Sequence, residues 1–259
     1  MKKSILKFLF FVFSLSLIGS VTFPREEHIS DIHYEIWVEL DDQTKMLRGR
    51  ENITWFNKTQ DEIQDMWFHL YYNAFKNENS TVIQESKEET FGLLGINVEE
   101  GEWGWVDVTS IKLADGRDLE QTIEFITLDK PVHPGDQTVM RVRFPEPVKP
   151  GEEISLQLEF QSKIPQGILR TGYYQNSYFI AQWFPKPGVY EEGKGWNCHE
   201  YHLSSEFYAD FADFTVHITV PEDFVVGASG KQIKEVPDKE KKTVTYTYSQ
   251  ENIHDFAWT

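Results

Sequence analysis

Apolar and polar residues alternate along much of this chain. Tyr34, Ile36, Val38 and Leu40 fall on one side of a period of two, with His33, Glu35, Trp37 and Glu39 between them. Successive side chains of a strand point to opposite faces, so this alternation predicts a strand with one buried face. The same pattern predicts strands from Asn52 to Phe56, Val106 to Leu113, Val139 to Phe144, Ile154 to Phe160, Tyr178 to Phe184, Phe214 to Val220 and Thr243 to Tyr248. Turn chemistry separates them, as in Asp115-Gly116, Pro134-Gly135-Asp136, Pro150-Gly151 and Ala228-Ser229-Gly230. Many short strands punctuated in this way predict an all-β fold, a sandwich or saddle of antiparallel sheets. One short helix is expected from Ile83 to Thr90, and residues Lys76 to Glu89 read as a polar insertion. The charged stretch Lys231 to Lys242 reads as a hairpin loop, and the apolar-rich Ile253 to Thr259 as a final strand.

The first residues follow a different pattern. Lys2 and Lys3 precede a mostly apolar run from Ile5 to Ile18, which ends in the small residues Gly19 and Ser20. That layout predicts a secretory signal peptide over residues 1–20, cleaved near Ser20. A spanning helix needs about 20 consecutive apolar residues, more than Phe8 to Ile18 provides, although an uncleaved anchor also fits. The expected location is therefore secreted or periplasmic, with membrane contact only through an uncleaved leader. With no linker or repeat in the remainder, residues 29–259 are expected to form one domain.

Charge then narrows the partners. Asp plus Glu number 42 against 25 Lys plus Arg, and the formal net charge of -17 disfavours nucleic acid and anionic membrane. The single cysteine, Cys198, has no internal disulfide partner and reads as a small packed residue. Aromatic residues, among them Trp103, Trp105, Trp183 and Trp196, suit core packing and also sugar stacking. A free-standing extracellular module binding carbohydrate or protein is therefore the alternative function. Sequons for glycosylation stand at Asn52, Asn57 and Asn79.

The segment Cys198-His199-Glu200-Tyr201-His202 approaches a zinc-peptidase motif but fails on spacing. In His-Glu-x-x-His the histidines are four apart, one helical turn, so both imidazoles face one ion. Here Leu203 holds the fourth position. On an extended chain His199 and His202 are expected to point to opposite faces, so no metal site is assigned. A Gly-x-Ser-x-Gly elbow and a Gly-rich phosphate loop are both absent from the sequence.

Several ordered blocks carry a resemblance. They are Tyr34-Glu35-Ile36, Gly49 to Trp55, Trp67 to Phe75, Lys149 to Glu152, Ile180-Ala181-Gln182-Trp183-Phe184-Pro185-Lys186, Val189-Tyr190-Glu191, Gly195-Trp196-Asn197, Glu206 to Phe211, Val216 to Pro221, Val226-Gly227-Ala228 and His254 to Trp258. Taken together they resemble the N-terminal domain of the aminopeptidase N family of zinc metallopeptidases. The resemblance implies a saddle-shaped antiparallel β-sandwich without catalytic residues, beside a thermolysin-like catalytic domain that removes N-terminal residues from peptides. Zinc would belong to that catalytic domain, and this chain would need no cofactor. The chain holds no His-Glu-x-x-His, so it is expected to be inactive alone. The family's N-terminal domain often lends one polar residue to the substrate pocket. Tyr174 and Gln175 lie near the corresponding place, without the Thr-Gln-x-Glu pattern, and Gln182 is an equal candidate.

Overall fold

The computed structural model describes residues 30–88, 102–130, 132–167 and 170–259. The leader expected over 1–20 lies outside them. The chain is mostly strand, arranged in open sheets, as the alternation predicts.

The larger sheet has seven strands, in the order β14-β15-β13-β1-β2-β7-β4. These are β1 (Ile32–Asp41), β2 (Met46–Phe56), β4 (Trp105–Leu113), β7 (Glu153–Lys163), β13 (Ala212–Pro221), β14 (Lys231–Asp238) and β15 (Thr243–Ile253). All neighbours are antiparallel except β1 and β13, where Tyr34 lies beside Phe214 and Ile36 beside Val216 in a parallel register. The smaller sheet runs β10-β3-β6-β5, from β3 (Ile63–His69), β5 (Ile123–Phe125), β6 (Val139–Val148) and β10 (Lys186–Pro187). Two hairpins complete the set, β8 (Gly172–Tyr174) with β9 (Ser177–Phe179) and β11 (Val189–Glu191) with β12 (Gly195–Asn197).

Alternate residues of β1 and β13 build the core: Ile32, Tyr34, Ile36, Val38 and Leu40 beside Ala212, Phe214, Val216, Ile218 and Val220, all buried. Tyr34 stacks on Phe214 with ring centroids 4.6 Å apart. Met66, Phe68, Met140 and Val142 of the smaller sheet join the same core. Trp183 and Phe184 fill its centre, and the Trp183 indole N–H donates to the Phe256 carbonyl at 3.0 Å. Gly49 of β2 faces Phe160 of β7, and a Cβ at Gly49 would fall 2.2 Å from the ring. The aromatic ring thus occupies the space the missing side chain leaves, which is why only glycine fits there.

Four expectations change in detail. The charged stretch from Lys231 forms strand β14, with a turn only after Asp238. As an edge strand it is exposed on both faces through Lys231–Pro237, so no alternation marks it. The expected strand from Tyr178 to Phe184 stops at Phe179, because Ile180 pairs singly with Trp258 and Gln182 turns the backbone to φ 60. The last residues are not a continuous strand. Trp258 makes isolated bridges to Ile180 on one side and Ala228 on the other. The helix, α1 (Thr81–Glu88), begins two residues early, since the Asp136 carboxylate accepts the Thr81 N–H at 2.8 Å and satisfies a free donor of its first turn.

Candidate functional site

After β12 the chain leaves regular structure, and residues 198–211 form a loop. Cys198 is fully buried against Gly188, and burial pushes its thiol well above the usual range. It is a packed residue, not an activated nucleophile. A turn closes at residues 202–205, where the His202 N–H donates to Ser205 Oγ at 3.0 Å and the Ser205 N–H to the His202 carbonyl at 3.1 Å.

This loop brings His199 and His202 together, against the expectation that they face apart. That expectation assumed an extended segment, and the chain here is not one. His199 Nδ1 lies 3.2 Å from both oxygens of Asp129, and His202 Nε2 lies 3.0 Å from Asp129 Oδ2. The other nitrogen of His202 is 2.6 Å from Glu85 Oε1 of α1. Burial works against the His202 imidazolium, but the bonds to Glu85 and Asp129 outweigh it and raise its pKa above the usual value. Among the described residues, no group of three or more His, Cys, Asp or Glu is placed to hold a metal ion.

The two histidines edge a cleft of about 600 Å³, lined also by His69, Tyr71, Asp129, Lys130, Glu200, Tyr201, Glu206 and Tyr208. His69 stacks flat on Tyr71 at 4.5 Å. Burial, with Lys186 and His199 nearby, lowers its pKa to about 3, so the imidazole is neutral. Glu200 Oε1 accepts the N–H groups of Leu128 and Asp129 at 2.6 and 3.2 Å. Burial raises the pKa of this carboxyl. Glu206 is held by Arg170 in a bidentate pair at 2.8 and 3.1 Å.

The three substrate-site candidates lie elsewhere. Tyr174 is 72% exposed, and Gln175 turns the β8–β9 hairpin at φ 55. Gln182 is buried, and both ends of its amide are used within the chain. Its Oε1 accepts from Lys186 Nζ at 2.8 Å and its Nε2 donates to Asp255. Lys186 also reaches Asp255 Oδ1 at 2.6 Å. Asn57, one of the sequon asparagines, is buried and donates to the carbonyls of Asp61 and Val148.

No family model matches the chain, and no curated protein matches it. Solved structures of similar architecture include an M1 zinc metallopeptidase from Deinococcus radiodurans, with a TM-score of 0.48 and 16% identity. A mutant of that enzyme bound to a Tyr-Ser-Ala substrate gives a TM-score of 0.47 and 16% identity. In both cases the match covers 87% of this chain and 41% of the other, so the chain spans less than half the length of those structures.

Proposed function

We propose that this chain is the non-catalytic N-terminal β domain of a secreted zinc aminopeptidase of the aminopeptidase N family. In this reading it borders the peptide site of a thermolysin-like catalytic domain, which carries the zinc. The observation that carries the reading is the order and completeness of the resemblance blocks, strongest at Ile180 to Lys186 and closing at His254 to Trp258. Those two blocks meet in the core. Lys186 and Gln182 bind Asp255, and Trp183 binds the backbone of Phe256. Such mutual use explains why both blocks would be kept together in one fold.

In the assembled enzyme the exposed Tyr174 and Gln175 would be free to meet the peptide, while Gln182 supports the core. Reading the gene beyond the codon for Thr259 tests the proposal. A frame that continues to His-Glu-x-x-His and a later Glu on a helix supports it. A stop codon with no neighbouring gene for such a domain contradicts it and favours the free-standing binding module.

A further inference from the structure

Three parts of the chain meet at His202: the loop 198–211, the helix α1 and the segment after β5 that carries Asp129. The ring Nδ1 lies 2.6 Å from Glu85 Oε1, and Nε2 lies 3.0 Å from Asp129 Oδ2. A neutral imidazole has one N–H and one lone pair, so it can donate to only one of two carboxylates, whereas the imidazolium donates to both. Without the second proton, a nitrogen lone pair would face a carboxylate oxygen at hydrogen-bond distance. Asp129 does not supply that proton. Burial works against its carboxylate, but the bonds from His202 and His199 outweigh burial and keep its pKa below the usual value. The raised pKa of His202 agrees with a ring that carries both protons.

The two carboxylates are held differently. Glu85 is fixed at both oxygens, because Oε2 accepts the Leu203 N–H at 2.8 Å, a backbone donor that does not titrate. Tyr201 of the loop shares a small apolar core with Val82 and Ile83 of α1, so this junction stays closed without the imidazolium. Among the described residues, the Asp129 carboxylate has only the two imidazoles as partners, and the side chain of His199 is 52% exposed. Glu200 holds the backbone N–H groups of Leu128 and Asp129, so the Asp129 side chain can turn while its backbone stays in place. The other titratable groups lining the cleft are Lys130 beside Asp129, the neutral His69 of β3, Glu200, Glu206 in its pair with Arg170, and the phenols of Tyr71, Tyr201 and Tyr208.

We propose that His202 is a proton-operated clasp on this cleft, which joins α1 to the Asp129 wall when the ring is charged and releases the Asp129 side chain when the ring is neutral. On losing its proton the ring keeps Nδ1–H on Glu85, which is anchored at both oxygens. Asp129 then turns away from the Nε2 lone pair, and the cleft widens at that wall. The inference does not depend on the peptidase reading, because it concerns contacts within this chain.

Nitrogen-15 NMR of the histidine rings, with crystals of the purified chain at about pH 5.5 and about pH 9, tests the clasp. The His202 ring should hold both protons past about pH 6.5, the ordinary midpoint, and should then keep its remaining proton on Nδ1. The crystals should show His202 Nδ1 and Glu85 Oε1 at hydrogen-bond length in both conditions. The gap from His202 Nε2 to Asp129 Oδ2 should open beyond about 3.5 Å only at the higher pH. In Asp129→Asn the midpoint should fall by roughly one pH unit, since one of the two facing charges is gone. A midpoint at or below about 6.5, a neutral ring protonated on Nε2, or an unchanged gap to Asp129 at the higher pH overturns the proposal. An unmoved midpoint in folded Asp129→Asn also overturns it, and if that variant does not fold, the spectra and crystals of the parent chain decide.

Discussion

His202 holds two carboxylates at once, Glu85 on α1 and Asp129, which precedes it by 73 residues. Its raised pKa has a definite consequence for stability. A histidine whose folded pKa exceeds its unfolded value of about 6.5 favours folding fully below that value, and the contribution fades as pH rises through the folded pKa. The gap in melting temperature between the parent chain and His202→Gln should therefore be wide near about pH 5.5 and narrow by about pH 8.5. A gap that widens with pH would contradict the assignment, and thermal melts across that range measure it. The pairing was not legible in the sequence. Spacing of three between His199 and His202 indicates opposite faces only on a strand, and nothing local announces the turn at 202–205 or the approach of Asp129. His69 was visible only as part of the block Trp67 to Phe75, and the lack of a hydrogen-bond partner for its ring nitrogens among the described residues is a tertiary fact.

At the level of elements, strands that alternate cleanly were readable, whereas β3, whose pattern breaks between its buried Ile63 and Met66, was not among the expected strands. β1 and β13 alternate cleanly because one side of each meets the core. The exposed edge strand β14 gives no such signal, and β5 has only three residues. The links between elements were also hidden. Lys186 of β10 is 3% exposed on its side chain and pairs with Asp255, beyond β15, whose side chain is 16% exposed. Burial lowers the lysine's pKa while Asp255 opposes that shift. Glu51 of β2 lies in the same core with both carboxyl oxygens unpartnered among the described residues, and burial raises its pKa strongly, so its neutral form is favoured. Removing one member of a buried pair leaves a charge without compensation and typically costs about 3–5 kcal/mol. Lys186→Met should therefore lower the unfolding free energy by about that amount in denaturant titrations. The double change with Asp255→Leu should recover most of it, and a double-variant loss equal to the sum of the two single losses would show that the pair is not coupled.

At the scale of the whole molecule, two open sheets enclose a core in which Trp183, Phe184 and Phe256 are fully buried. That architecture, and the all-β class, follow from the alternation and the turns. Among the described residues no group of three or more His, Cys, Asp or Glu is placed to hold a metal ion. A peptidase of the proposed family draws its nucleophile from water on a zinc held by three protein ligands with one position open. His199 and His202 are instead engaged with carboxylates, and no His-Glu-x-x-His occurs in the sequence. We propose that this chain serves catalysis in another domain without performing it. The most direct test is metal analysis of the purified chain after dialysis, together with release of product from aminoacyl-anilide substrates with and without added zinc. The account predicts a folded, β-rich protein with no stoichiometric zinc and no turnover. One tightly held zinc per chain, with turnover lost in His199→Ala or His202→Ala, would contradict it.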